Sequence, residues 1–291
     1  MSDLDFSQPI PPKPAAPPPP PPPPIYNAAM AMEFFKAAGK PEGFDAGKVI
    51  FAENEKGGLF SRARMYILIV GEIEMLVQNK VIGSVKAGEV FGEMAVIAGA
   101  ARTATARAKN ACTVIGLDDK QYLVALAQKP EFALQLMSIM NTRLRGAISR
   151  LRMSGGLHGG DVSESPVIDK KLLAGLVKLM QGHDPVRYDA GKTIMQEGTA
   201  GALMYIVLEG RVKISIKGAV VAKAGEAGVF GEMALVDQSP RAATATAETD
   251  CSLLAINRPT FLQLVKTSPA FGAALLSAIA ERAQQMAARN K

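Results

Sequence analysis

Hydrophobic positions along this chain switch between two spacings, and the switch happens twice. Residues 49–51, 65–70, 73–77 and 81–82 are short apolar runs bounded by glycine, asparagine or lysine-glycine turns, the pattern of short strands in a sandwich or roll. After Cys112 the spacing lengthens to three and four residues: 118–127 reads as one helix, and Pro130 opens a second that reaches about Met153. Along that second helix Met137, Met140, Leu144, Ile148 and Leu151 make one apolar face, with Arg143, Arg145, Arg150 and Arg152 mostly off it. An earlier short helix is predicted within residues 25–40, where Met30, Met32, Phe34 and Phe35 punctuate an alanine-rich run. The second half repeats the order: helix within 166–181, strands from 188 to 254, and a helix over 270–290.

The repetition holds residue by residue. Phe91-Gly92-Glu93-Met94-Ala95, followed by Arg102-Thr103-Ala104-Thr105-Ala106, returns 139 positions later as Phe230-Gly231-Glu232-Met233-Ala234 and Arg241-Ala242-Ala243-Thr244-Ala245. The same offset relates Tyr66 to Tyr205, Gly71 to Gly210, Cys112 to Cys251 and Pro130 to Pro269, so a whole domain is the repeating unit. Upstream the offset is 144, as Gly47 and Gly191 show, which places a five-residue insertion between Phe51 and Tyr66 of the first copy.

The repeated stretch has a chemistry of its own. A glycine ahead of a short apolar turn tolerates close backbone approach and leaves free N–H groups that suit an anion. Nine residues after each glutamate stands an arginine in a small, apolar setting, where an unpaired guanidinium is costly to bury and calls for an anionic partner. The carboxylate accepts hydrogen bonds and so reads a hydroxyl donor. Glutamate and arginine at this spacing are also compatible with a structural ion pair across a turn; two occurrences in one register favour a site for a sugar-phosphate.

Both stretches resemble the phosphate-binding cassette of cyclic-nucleotide-binding domains, the module shared by bacterial catabolite-activator-type regulators, cyclic-nucleotide-gated channels and regulatory subunits of cyclic-nucleotide-dependent kinases. The resemblance covers about residues 44–152 and 188–290. It implies a mainly β fold with flanking helices: two tandem double-stranded β-helix (jelly-roll-like) domains at 25–153 and 166–291, with a linker over 154–165. It further implies a ligand site of Gly92, Glu93, Met94, Ala95, Arg102 and Thr103 in the first copy, and of Gly231, Glu232, Met233, Ala234, Arg241 and Ala242 in the second. Glu93 and Glu232 would take the ribose 2'-hydroxyl, and Arg102 and Arg241 the cyclic phosphate. Pro240 before Arg241 and Ala242 after it follow the pattern that accompanies cAMP preference in the family; Ala101 and Thr103 flank Arg102 instead, which implies tolerance of cGMP at the first site. In the catabolite-activator branch the helix at 130–153 pairs two copies, so a homo-oligomer through that helix is a candidate assembly.

Composition narrows the rest. Hydrophobic residues make up 48% and charged residues 21% of 291 residues, the balance of globular domains. A net charge of +6 is modest for the length, and with no helix-turn-helix expected after the last helix, nucleic acid is not an expected partner. The two cysteines occupy equivalent places in different repeats and read as buried, reduced strand residues of a cytoplasmic protein. With His158 and His183 the only histidines, neither a metal site nor a catalytic triad is expected, and the chain is read as no enzyme. Neither a signal peptide nor a membrane span is expected. Residues 1–24 form a disordered proline-rich tail in which eight consecutive prolines, Pro17 to Pro24, favour a stiff polyproline rod of about 25 Å, a spacer or a docking segment. The functional expectation is a cytosolic receptor for cAMP or cGMP that signals through a separate protein effector; the alternative is an assembly protein built on degenerate copies of the same domain.

Overall fold

A computed structural model describes residues 26–56, 63–153, 167–237 and 240–288. The proline-rich tail and the linker expected at 1–24 and 154–165 lie outside the described residues. The first repeat runs α1 (Ala28–Lys36), β1 (Pro41–Phe44), β2 (Val49–Phe51), β3 (Arg64–Val70), β4 (Ile73–Val77), β5 (Lys80–Val85), β6 (Val90–Phe91), α2 (Glu93–Ile97), β7 (Thr105–Ala108), β8 (Cys112–Asp118), α3 (Asp119–Gln128) and α4 (Glu131–Met153). The second runs α5 (Lys170–Leu179), β9 (Val186–Tyr188), β10 (Thr193–Met195), β11 (Met204–Glu209), β12 (Val212–Ile216), β13 (Ala219–Ala224), β14 (Val229–Phe230), α6 (Met233–Asp237), β15 (Thr244–Ala247), β16 (Cys251–Ile256), α7 (Arg258–Thr267) and α8 (Pro269–Ala288).

Each repeat folds its strands into two four-stranded antiparallel sheets, ordered β1-β8-β3-β6 and β2-β7-β4-β5 in the first and β9-β16-β11-β14 and β10-β15-β12-β13 in the second. Even the irregularities recur. Register shifts at Leu68/Val70 and Met75/Leu76 reappear at Val207/Glu209 and Ile214/Ser215, again 139 residues on. Such bulges bend strands and raise their twist, which is what closing a roll requires. The strand pattern expected from the sequence is present, and the structure adds strands to it, among them β1, which begins on a proline, and β7, which is made of small and polar residues. Both are strands through their pairing, β1 with β8 and β7 with β2 and β4, and not through their own propensity.

Inside the first roll Tyr66, Leu68, Ile73, Val85, Phe91, Ala106, Ala108, Cys112 and Val114 form a core, and inside the second the residues 139 positions on form another: Tyr205, Val207, Val212, Ala224, Phe230, Ala245, Ala247, Cys251 and Leu253. Both cysteines are free and buried, as expected. The one unmatched large member is Phe51, whose place in the second repeat belongs to Met195.

A third cluster joins the helices. It includes Phe34 and Phe35 of α1, Tyr122 of α3, Phe132, Met137, Met140 and Leu144 of α4, and Phe271, Leu275, Leu276 and Ile279 of α8. Local sequence sets the helix starts: Asn27 accepts from the Met30 amide, and Asp118 and Gln121 form a reciprocal capping box. Helix α4 packs along α8. Its apolar face, read from the sequence as a candidate surface for a second copy, is packed at Met137, Met140 and Leu144 in the cluster it shares with α8 of the same chain. The positions of Ile148, Leu151 and the four arginines between 143 and 152 are helical, but their side chains lie outside the described residues. Among the described residues no single helix is long and apolar enough to cross a membrane; α7 and α8 reach that length together, but they meet at 116°, with Phe261, Val265 and Phe271 in the core.

The helical cluster holds a costly group. The Tyr122 hydroxyl is buried with no hydrogen-bond partner, and burial pushes its pKa up. Tyr122→Phe is expected to raise the unfolding free energy by about 1–2 kcal/mol, read from the urea midpoint. The sign of the pH effect follows from the same shift: with the folded-state pKa above the ordinary 10.0, the unfolded chain releases its proton first, so this residue's contribution holds below pH 10 and is lost as pH rises further. The variant should flatten the alkaline fall in stability by one phenol's share.

Candidate functional site

The cassette sits where β6 runs into α2, and β14 into α6. Gly92 adopts φ 70° and Gly231 φ 77°, the left-handed region that glycine alone enters without strain. Close approach adds a second requirement. A Cβ on Gly92 would lie 2.9 Å from both Arg102 Nη1 and Phe51 Cε1, and one on Gly231 would lie 2.9 Å from Arg241 Nη1. The glycine is what lets the guanidinium reach the main chain.

The arginines are held from two directions. Arg102 exchanges main-chain hydrogen bonds with the loop after β2: Asn54 N donates to Arg102 O and Arg102 N donates to Glu55 O, both at 2.9 Å. Arg241 is clamped alike, with Gly198 N donating to its carbonyl at 2.9 Å and its own N–H donating to Thr199 O at 2.8 Å. The threonine three places on from each arginine completes the clamp: Thr105 Oγ1 accepts from Glu53 N at 2.9 Å and Thr244 Oγ1 from Glu197 N at 3.0 Å. This accounts for the second threonine in R-T-A-T-A and for its counterpart in R-A-A-T-A, a role that sequence reasoning missed although the two positions share one register.

All four charged residues read from the sequence are buried, Glu93 to 3%, Arg102 to 6%, Glu232 to 4% and Arg241 to 7% exposure. Among the described residues the hydrogen-bond partners of each guanidinium are carbonyls. Arg102 donates from Nη1 to Gly92 O at 2.8 Å and from Nη2 to Arg64 O at 2.7 Å, and Arg241 donates from Nη1 to Gly231 O at 2.9 Å. Carbonyls carry partial charges only, so they satisfy N–H groups without cancelling the cation. Burial accordingly lowers the pKa of both arginines, opposed for Arg102 by Tyr66, Glu55 and Glu93 and for Arg241 by Tyr205 and Glu232. A guanidinium stays protonated under these conditions, so each roll buries a standing positive charge.

Glu232, which acts electrostatically on Arg241, has a second cation as well. Glu232 accepts from Arg282 Nη1 of α8 at 2.9 Å, and Arg282 Nη2 donates to Val229 O at 2.6 Å, so the cassette of the second repeat is fastened to the last helix. Arg282 was not singled out from the sequence. The signal was available, because Arg143 stands 139 residues before it in α4, although that side chain lies outside the described residues. The remaining expected positions surround this centre: Met94 and Met233 are half-buried, Ala95 is buried, Thr103 is exposed, and Ala242 is half-buried beside Arg241. The Ala234 side chain lies outside the described residues. Among the described residues no group of three or more His, Cys, Asp or Glu side chains is placed to hold a metal ion.

Comparisons with known proteins agree with this geometry. Residues 41–129 and 185–268 each match the cyclic nucleotide-binding domain. A cGMP-dependent protein kinase of Eimeria tenella is 28% identical over 233 residues, which are 79% of this chain and 20% of the relative. A cAMP-dependent protein kinase regulatory subunit of Aspergillus niger is 31% identical over 191 residues, 64% of this chain and 41% of the relative. The chain thus spans a fifth to about half the length of the curated relatives it matches. Among solved structures, the cAMP-bound regulatory domain of Toxoplasma gondii PKA covers 87% of this chain and 95% of its own at 20% identity and a TM-score of 0.31. The catabolite activator protein of Thermus thermophilus covers 42% of this chain and 59% of its own at 29% identity and a TM-score of 0.36. The two family matches together take in more than half of the sequence, and they fall on the two rolls that bury the glutamate and arginine pairs: the chain belongs to the cyclic nucleotide-binding domain family.

Proposed function

We propose that this chain is a cytoplasmic cyclic-nucleotide receptor with two ligand sites that passes occupancy to a separate protein. The observation that carries the reading is the buried guanidinium in each roll, held in place by carbonyls with a buried carboxylate acting on it. A ring phosphate would meet an arginine that is already ordered, so little conformational entropy is lost on binding. Beside it a buried carboxylate, Glu93 or Glu232, is chemically suited to a sugar hydroxyl. Thr103 and Ala242 flank the two arginines, so the second site is assigned to cAMP and the first to cAMP with tolerance of cGMP.

The route outward begins at Glu232. A ribose hydroxyl that hydrogen-bonds this carboxylate acts on a group already tied to Arg282, and α8 carries that residue into the helical core it shares with α4. Helix position is then what an effector reads. The relatives' names point to a kinase catalytic chain as the class of effector, and the two buried, unbridged cysteines are in keeping with a reducing compartment. No catalytic role is assigned to the chain: the cassette residues bind without activating a nucleophile.

Three outcomes test this. Cyclic AMP at a hundred times its dissociation constant should stabilise the native chain by about 2.7 kcal/mol and raise its thermal midpoint, whereas a midpoint unmoved by millimolar cAMP or cGMP selects the assembly-protein reading. Arg241→Ala should weaken cAMP at the second site by about 2–5 kcal/mol, roughly thirtyfold to several thousandfold in calorimetry, and wild-type affinity in that variant removes the assigned role. Arg282→Ala leaves the buried Glu232 carboxylate without its cation and should lower ligand-free stability by about 1–3 kcal/mol in chemical denaturation, with Arg282→Lys recovering part of it.

A further inference from the structure

The two arginines rest on different surfaces. In the first repeat the Arg102 Cζ lies 4.0 Å from the centroid of the Phe51 ring, which is 4% exposed. That ring ends a stack: Phe51, Tyr66 and Phe91 lie 5.3–6.0 Å apart at interplanar angles of 21–27°. The second repeat keeps only the inner pair, Tyr205 and Phe230, at 5.2 Å and 21°. Met195 stands in the place of Phe51, and its sulfur is 3.5 Å from where a Cβ on Gly231 would be. The Arg241 guanidinium instead crosses Gly201, where a Cβ would come within 2.2 Å of its Nε. One cation lies on an aromatic face, the other against bare backbone.

We propose that Phe51 is a positioning residue for the anion-binding arginine of the first site, and that the exchange of Phe51 for Met195 makes the two sites unequal, the first being the better organised for a cyclic phosphate. This rests on the receptor reading of the cassette. A ring attracts a guanidinium through its π face, while the N–H donors of the guanidinium lie in its own plane. The two demands are orthogonal. Phe51 therefore fixes the plane without consuming a donor, and Gly92 O and Arg64 O fix the rotation within it. Desolvation strengthens the contact, since both partners are buried. At the second site the described contacts fix the rotation through Gly231 O but leave the plane to van der Waals packing, which costs binding energy when the phosphate demands a single orientation.

The full chain allows the sites to be read one at a time by calorimetry with cAMP: Arg241→Ala isolates the first and Arg102→Ala the second. In the Arg241→Ala background, Phe51→Met should weaken cAMP about threefold to thirtyfold, while Phe51→Tyr, which keeps the ring, stays within about twofold of its parent. In the Arg102→Ala background, Met195→Phe should tighten cAMP at the second site. A Phe51→Met variant with unchanged affinity, or a Met195→Phe variant with no gain, overturns the proposal. A nitrogen-edited NMR spectrum separates this from failure of the receptor reading, because it needs no ligand. The Arg102 Nε–H should carry a ring-current shift that disappears in Phe51→Met, and its absence from the wild-type spectrum also overturns the proposal. If neither parent binds cyclic nucleotide, the receptor reading falls on its own account.

Discussion

A positive charge kept out of water and hydrogen-bonded to backbone carbonyls is the constraint around which each half of this protein is arranged. Burying a guanidinium costs far more than burying an amide unless something compensates it. Here the compensation is partial and built from the backbone: glycine carbonyls at the start of each cassette, and main-chain bonds that grip the arginine through both its N–H and its C=O. The left-handed glycines, the loop turns at Asn54 and Gly198, and the threonines at 105 and 244 all serve to bring those carbonyls and that side chain together. A site assembled this way is suited to an anion because its arginine is already ordered.

The two rolls do not stand apart from the helices that follow them. Glu232 is joined to α8 through Arg282, and α8 lies against α4 in a cluster that also takes in α1 and α3. The long helix of the first repeat thus meets the long helix of the second within one chain. The sites are alike in backbone and unlike in lining: Phe51 against Met195, Thr103 against Ala242, and a loop longer by five residues in the first copy.

Much of this was legible because the chain states it twice. A constant offset of 139 residues turned a marginal motif into a repeated one, and short apolar runs with turn residues between them located the strands whose side chains fill the rolls. Helix ends were readable where a capping residue announces them, as at Asp118. What escaped was set by distant geometry. Beta strands β1 and β7 have compositions that argue against them and exist through their neighbours. The partners of Arg102 and Arg241 are carbonyls, and no side-chain identity announces a carbonyl. Arg282 lies fifty residues from Glu232 along the chain and meets it only because α8 folds back across β14.

Native mass spectrometry of the full chain titrated with cAMP addresses the central claim most directly, since it counts ligands without assuming their effect. Two buried guanidinium sites predict species carrying one and then two nucleotides per chain, with the second addition lost in Arg241→Ala or in Arg102→Ala. A chain that stays nucleotide-free at millimolar cAMP and cGMP would contradict the account, and the buried arginines would then have to be read as parts of the scaffold alone.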